Sequence, residues 1–295
     1  MEKIKYHLKK VYIKLLVLFE NFSTNYFYRI LNNDLQEIIA TNRDYLKSVG
    51  IFLEHEQFQK NDYGMDMKIY PHLDKKIKDY PTYSDLIVFI SNYLKPVRIN
   101  YLEIGVSVMK NYMQLENYFK NARLVAYDIN PIVPKYKSKF SLLNFNKDSS
   151  SSIFNYESSN SCYYFQGSVL NDKHIQDFNN FFEDKFNLVF SDALHTTEGV
   201  KSEYDNIISK NLDENFILYF DDLDFPGLFD TANDIFNDLL RSDKKVYFNT
   251  FKIYGWVGQH EKMHKNGIIS TVNFHKEFVK HNVNLPFKKS INPKK

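Results

Sequence analysis

From Val97 onward the chain alternates short apolar runs with stretches whose apolar residues recur every three or four positions. The runs are RINYLEIG, RLVAYDI, CYYFQGS, FNLVFSD and FILYFDD. Their length and their β-branched and aromatic content predict buried strands. Between them, Asn111 to Lys120, Asp172 to Phe182, Glu198 to Ser209 and Leu228 to Leu240 carry helical spacing. Such alternation predicts an α/β fold, a mostly parallel sheet with helices on both faces. Two more strand candidates, KVYFNTFKIY and GIISTVNF, follow with no long helical pattern between them. They are expected to pair antiparallel and to end the sheet.

The pattern before Val97 is different. Ile4, Leu8, Val11, Tyr12, Leu15, Leu16 and Phe19 share one helical face, with Lys3, Lys5, Lys9, Lys10 and Lys14 around it. This basic amphipathic helix suits a membrane surface or self-association, and equally suits packing on its own domain. Leu35, Ile38, Ile39, Tyr45 and Leu46 suggest short helices, and MDMKIYPHLD reads as a crossing loop. Tyr83, Leu86, Ile87, Ile90, Tyr93 and Leu94 form a clearer helical face that ends before Pro96. The expected organisation is an N-terminal helical extension over 1–96, a main domain over 97–275 and a basic tail over 276–295. The segment Lys135 to Ser161, rich in Lys, Ser and Asn, reads as a surface insertion. The final FKKSINPKK is expected to be solvated.

Composition narrows the classes. The 295 residues suffice for one large α/β domain with an addition. No apolar run reaches the roughly eighteen residues a membrane span needs, and no small-residue cleavage site marks a signal peptide. A single cysteine, Cys162, excludes an internal disulfide and fits a reducing, cytoplasmic setting. A net charge of +2 gives no argument for a nucleic-acid partner.

The candidate chemistry sits at strand ends. In FNLVFSDALHTTEGVKSEYDNI the strand stops at Asp192, with His195 three residues on and a helix entry at Thr196 to Gly199. FILYFDDLD ends a second strand in Asp221 and Asp222. Open α/β sheets bind ligands outside the carboxyl ends of their strands. Three carboxylates and an imidazole are therefore placed where reactions occur.

Several motifs together resemble the class I S-adenosylmethionine-dependent methyltransferases. YLEIGVSVMKN is similar to the family's first motif, a strand ending in an acid and a glycine turn, with Glu103 and Gly105 matching and Met109 where a later glycine is usual. LVAYDINP is similar to the second, whose acid, here Asp128, would bind the ribose hydroxyls. YFQGSVLND places Gly167 and Ser168 where the family contacts the adenine. SDALHTTEGVKSEYD resembles the IDGDHSYEGV pattern of the branch containing macrocin-type sugar O-methyltransferases and cephalosporin hydroxylase-like proteins. It departs from that pattern at Leu194 and Thr197. The resemblance, spanning about Val97 to Phe274, implies a Rossmann-like class I methyltransferase sheet and S-adenosylmethionine as methyl donor. From the metal-dependent members it implies Mg²⁺ on Asp192, Asp221 and Asp222, with His195 as base. The implied acceptor is a small-molecule or sugar hydroxyl, and a homo-oligomer is compatible.

That chemistry is coherent. A hydroxyl does not ionise at neutral pH unaided; a divalent cation lowers its pKa and a histidine can take the proton. Carboxylates without thiols suit Mg²⁺. Four other readings stand beside it: a methyltransferase using His195 without metal, a methyltransferase-fold scaffold without turnover, a nicotinamide oxidoreductase and a zinc protease. Met109 and Leu194 motivate the scaffold. The missing GxGxxG at Gly105 argues against the oxidoreductase. HEKMH, His260 to His264, is a literal HExxH, but a zincin needs it on a helix, and Gly255, Gly258 and Gly267 predict a loop there. Asp224 competes with Asp222 for a role at the second acidic strand end.

Overall fold

The computed structural model describes residues 32–49, 78–95, 98–255 and 263–289, with scattered positions between 11 and 28. Ten strands form one sheet: β1 Asn100–Ile104, β2 Arg123–Asp128, β3 Ser141–Asn146, β4 Ser151–Glu157, β5 Ser161–Gln166, β6 Phe186–Ser191, β7 Leu212–Phe220, β8 Tyr247–Tyr254, β9 Met263–Ser270 and β10 Lys288–Lys289. Their order is β10-β8-β9-β7-β6-β1-β2-β5-β4-β3. The five central strands, β5-β2-β1-β6-β7, are parallel. They are the five apolar runs of the sequence. β2 and β6 are buried at every position, as strands covered on both faces must be. β9 inserts antiparallel between β7 and β8, so the expected antiparallel pair exists and β9 also docks onto the parallel core. This is the mostly parallel, Rossmann-like sheet that the methyltransferase resemblance implies.

The described helices are α1 Asn33–Val49, α2 Tyr83–Ser91, α3 Lys110–Tyr118, α4 Pro134–Lys137, α5 Asp172–Phe181, α6 Thr197–Glu203, α7 Leu228–Arg241 and α8 Phe274–Lys280. α6 continues through a π-helical turn, Tyr204–Ile208, into a last short helical turn, Ser209–Asn211. Two apolar clusters cover the two faces of the sheet. One includes Tyr101, Tyr219 and residues of α1 to α3; the other includes Leu102, Val189 and residues of α5 to α7. None of the described helices is long and apolar enough to cross a membrane.

The N-terminal elements are bound into the first face. All nine residues of α2 are buried, so its sequence periodicity underreports its burial. Asp85 accepts hydrogen bonds from Thr82 N (2.8 Å), Asn42 Nδ2 (2.8 Å) and the guanidinium of Arg43 (3.1 and 2.6 Å), tying α1 to α2. A buried carboxylate survives there because every face of it is paired. Tyr28 reaches across to donate to the carbonyl of Lys252 on β8 (3.0 Å). MDMKIYPHLD lies outside the described residues, as does most of the amphipathic segment before Phe22. The described apolar positions Val11, Tyr12, Leu15, Leu16 and Phe19 are exposed.

Two segments are more structured than their composition suggests. The Lys/Ser/Asn-rich insertion contains the hairpin β3–β4, which pairs with β5 and extends the sheet. Asp177 on α5 anchors its tip by accepting from Asn146 Nδ2 (2.8 Å), Ser151 Oγ (2.7 Å) and Ser149 Oγ. At the C-terminus, α8 crosses the boundary expected between domain and tail. Phe287, expected to begin a solvated end, is instead buried against Phe251 and Phe278, and Lys288 and Lys289 pair with β8. An aromatic residue at the head of a basic run supplied the apolar area that the charge pattern concealed.

Candidate active site

β1 lies between β2 and β6, so the chain reverses its direction of winding there. The carboxyl ends of β1, β2, β6 and β7 open onto one edge of the sheet at this switch point, where an α/β sheet forms a binding crevice. The sequence-predicted residues divide between two halves of that edge.

The first half is the turns after β1, β2 and β5. Gly105 has φ +86° and donates its N–H to Tyr127 O at 2.8 Å. A Cβ there would meet Asp192 O at 2.2 Å and Ala193 Cα at 2.4 Å. The glycine thus allows the turn after β1 to pass against the turn after β6, joining the two halves. Met109, at the position where a later glycine is usual, has φ +62° and is fully buried. Asp128 has both oxygens occupied: Oδ2 accepts from Val106 N (2.7 Å) and Ser107 N (2.9 Å), Oδ1 from Asn130 N (2.8 Å) and Nδ2 (3.1 Å). Burial pushes its pKa up, and these four donors pull against the shift. Glu103 is buried and accepts from Tyr101 OH (2.8 Å) and Asn111 Nδ2 (2.9 Å). Burial raises its pKa well above the usual carboxylate range, those two donors pull it down, and the charges of Asp192 and Asp128 add to the rise. Gly167 donates to Asp128 O at 2.8 Å, and Ser168 N donates to His174 Nδ1 at 2.8 Å. The latter bond makes His174 Nε2 the protonated nitrogen, which donates to Ser149 O at 2.7 Å and links this loop to the hairpin tip.

The second half is the ends of β6, β7 and β9. Asp192 follows β6, and its Oδ1 lies 3.2 Å from His195 Nε2. The same nitrogen lies 3.5 Å from Asp222 Oδ2. The imidazole of His195 stacks obliquely on Phe225, with ring centroids 4.9 Å apart. Thr196 caps α6 by accepting from Gly199 N (3.1 Å), which sets His195 in the turn just before the helix. Asp221 and Asp222 follow β7. Asp222 adopts φ +53°, an uncommon conformation for a non-glycine residue, and its carboxylate also contacts His264 Nδ1. Asp221 accepts from Asn266 Nδ2, which also donates to Tyr219 OH at 3.1 Å.

Electrostatics follow from this crowding. Burial and the charges of Asp192 and Asp222 push Asp221 well above the normal carboxylate range. Burial likewise raises Asp192, and the hydrogen bond and charge of His195 pull against it. For His195, partial burial disfavours the imidazolium, but the hydrogen bond to Asp192 and the charges of Asp192, Asp222 and Asp221 prevail and raise it to about 9. His264 is raised in the same way: burial opposes, and Asp222, Asp221 and Asp192 outweigh it.

Three side chains complete the site that sequence reasoning did not assign to it. His264, on β9, belongs with Asp221 and Asp222: one ligand atom from each lies within 4.8 Å of the others. Its signal in the sequence was the HEKMH string, whose described end, Met263 onward, is a strand rather than the helix a zincin requires. His260 and Glu261 lie outside the described residues. Asn266 shares the strand face and positions Asp221. Tyr83 enters from α2, 4% exposed, with its ring 5.0 Å from Phe190. Burial, and after it the charges of Asp192, Asp221 and Glu103, raise its pKa strongly. Of the two competing acids, Asp224 accepts from Lys265 N (2.8 Å) and pins the turn, whereas Asp222 faces the histidines.

The donor set fits a divalent cation. Asp221 and Asp222 supply two carboxylates and His264 an imidazole, and the neighbouring acids already raise the pKa of Asp221. Asp192, expected as a third carboxylate ligand, stands beside this trio through His195.

No protein-family model and no curated protein matches the sequence. Among solved structures, the chain is similar to the O-methyltransferase TomG from Streptomyces achromogenes, solved with SAM, at 12% identity. That match covers 85% of this chain and 96% of TomG, with a TM-score of 0.45. It is also similar to the TDP-rhamnose 3'-O-methyltransferase of calicheamicin biosynthesis, at 15% identity over 72% of this chain and 87% of that one, with a TM-score of 0.38. A third is the MycE methyltransferase of the mycinamycin pathway, solved with Mg and SAH, at 12% identity and a TM-score of 0.38. It is matched over 65% of this chain and 49% of its own length. The fold assignment rests on the strand order, not on these overlaps.

Proposed function

We propose that this chain is an S-adenosylmethionine-dependent methyltransferase that methylates a hydroxyl of a small molecule or sugar with the help of a divalent cation. The observation that carries the reading is the convergence, on one edge of the sheet at its switch point, of Glu103 and Asp128 with Asp192, His195, Asp221 and Asp222. S-adenosylmethionine would lie across the first half, its ribose at Asp128 and its amino acid end toward Glu103. A cation held by the acids of the second half would supply charge that makes an acceptor hydroxyl easier to ionise. His195 is the base: its Nε2 stands between Asp192 and Asp222, and a cation on the acids would offset the charges that raise it to about 9, leaving the ring free to take the proton. Asp192 orients that ring from the strand end. Tyr83 and Phe225 close the crevice around the acceptor and exclude water. Alignment of acceptor and methyl does the rest, since methyl transfer needs chiefly proximity.

One observation favours a second reading, a methyltransferase-fold binding protein without turnover. Asp128 accepts four hydrogen bonds from its own chain, which fill the acceptor capacity of a carboxylate. Ribose hydroxyls would have to displace at least one. Calorimetric titration with S-adenosylmethionine, with and without a divalent cation, separates the two. Saturable binding that Asp128→Ala removes supports the enzyme, and an acceptor screen with sugars and phenols follows, with His195→Ala as control. Absence of binding under both conditions overturns the methyltransferase reading.

A further inference from the structure

The acidic edge differs from an all-oxygen magnesium site in one respect. Asp221 and Asp222 stand at the end of β7, but the third group within reach is the imidazole of His264 on the antiparallel strand β9. The register fixes this neighbour: Phe220 pairs with Gly267, so β9 runs back past the end of β7 and carries His264 and Asn266 alongside the two acids. Asn266 holds Asp221, Asp224 pins the turn to Lys265, and Asp222 is left facing His264. A further observation points to a ligand here. Asn266, fully buried beside Asp221, donates through Nδ2 to Asp221 and Tyr219 and leaves its Oδ1 without a hydrogen-bond partner among the described residues.

Mg²⁺ is a hard ion that keeps oxygen ligands and several waters, and an imidazole nitrogen is a poor partner for it. Mixed nitrogen and carboxylate sets suit first-row transition metals, which bind imidazole well. We propose that His264 is a metal ligand and that the site of Asp221, Asp222 and His264 takes a first-row transition-metal dication, such as Mn²⁺, in preference to Mg²⁺. This rests on the reading of the acidic edge as a cation site and not on methyl transfer. It also accounts for the described end of the HEKMH string: His264 binds metal from a strand, beside two aspartates.

The test uses the full-length, metal-stripped protein, titrated calorimetrically with Mn²⁺ and separately with Mg²⁺, and pulsed electron paramagnetic resonance of the Mn²⁺ sample. The expected result is Mn²⁺ binding at least about tenfold tighter than Mg²⁺, with nitrogen hyperfine coupling on the bound Mn²⁺. His264→Ala should abolish the coupling and narrow the preference to a few-fold, whereas His195→Ala should keep both. If His264→Ala melts early, His264→Asn replaces the nitrogen with an amide oxygen and should bind Mn²⁺ without the coupling. Equal or tighter Mg²⁺ binding, or coupling that survives His264→Ala and disappears in His195→Ala, overturns the proposal. S-adenosylmethionine is titrated into the same samples. Mn²⁺ bound through nitrogen upholds the metal assignment even if S-adenosylmethionine fails to bind, and S-adenosylmethionine binding without it overturns the metal assignment alone.

Discussion

The two halves of the crevice use the same residue type in opposite ways. At the ends of β1 and β2, Glu103 and Asp128 are carboxylates whose neighbours are donors: a tyrosine, two asparagines and the N–H groups of the glycine turn. Protein groups meet most of their hydrogen-bonding demand. At the ends of β6 and β7, Asp192, Asp221 and Asp222 have one another as neighbours, moderated by His195 and His264. Acids satisfied by their own chain shape a turn. Acids crowded together need a positive charge, from protons on nearby groups or from a cation. The strand-end acids of one sheet therefore divide into those held by their own chain and those crowded together, and partners rather than residue type make the division.

The junction between the halves should be the most sensitive point. Gly105→Ala would drive a Cβ into the backbone of Asp192 and impose a left-handed conformation on alanine. A destabilisation of about 5 kcal/mol or more is expected in urea unfolding, and a loss under about 1 kcal/mol would show that the turns are free to separate. His195→Ala should strike the second half alone. Turnover should drop about 10²–10⁴-fold while calorimetric S-adenosylmethionine affinity holds. Parallel loss of both would mean that the halves act as one unit.

Glu203 gives a pH handle on the second half. It is buried beneath the end of β6, where its Oε2 accepts from Ser191 Oγ at 2.6 Å. Burial, opposed by that bond and aided by the charge of Asp192, raises it to about 8. Because the folded value lies above the unfolded one, its contribution to stability is complete below the ordinary glutamate pKa and is lost as pH rises through about 8. Glu203→Gln should remove that slope, leaving melting near pH 4 little changed and stabilising the protein at pH 8 by about 2–3 kcal/mol. Thermal melts across the range check it, and an unchanged slope would assign the titration to Asp192 or Asp221. The smallest effect is expected in the first half. Asp128→Asn keeps the shape but turns one acceptor into a donor toward the turn, weakening S-adenosylmethionine by about tenfold, or 1.4 kcal/mol, in the same calorimetry. No change would show that Asp128 serves the turn alone.

Much of the scaffold was legible because its signals are local. The apolar runs at Leu188 to Phe190 and Phe216 to Phe220 read as strands from length and side-chain type, and each ends in the acid that the structure puts at the crevice. The helices from Asp172 and Leu228 were legible from apolar spacing. The end of the chain was less so, because six basic and polar letters outweighed one Phe287 that the core takes up. At the site, Asp192, Asp221 and Asp222 were each visible because they follow strands directly, and His195 because it lies three residues after Asp192 and just before a helix entry.

What the order of residues dictates, then, is the alternation of strand and helix and the acids at strand ends, because apolar period and chain reversal are properties of neighbouring residues. What waited for the folded chain is who stands beside those acids. His264 meets Asp222 across 42 residues because β9 returns antiparallel beside β7. Tyr83 reaches the same edge because α2 is buried against the sheet. Gly105 is needed for the backbone of Asp192, far along the chain. Hydrogen bonding, charge crowding and metal affinity act over a few ångströms of space, and the chain brings these groups within that distance only by folding.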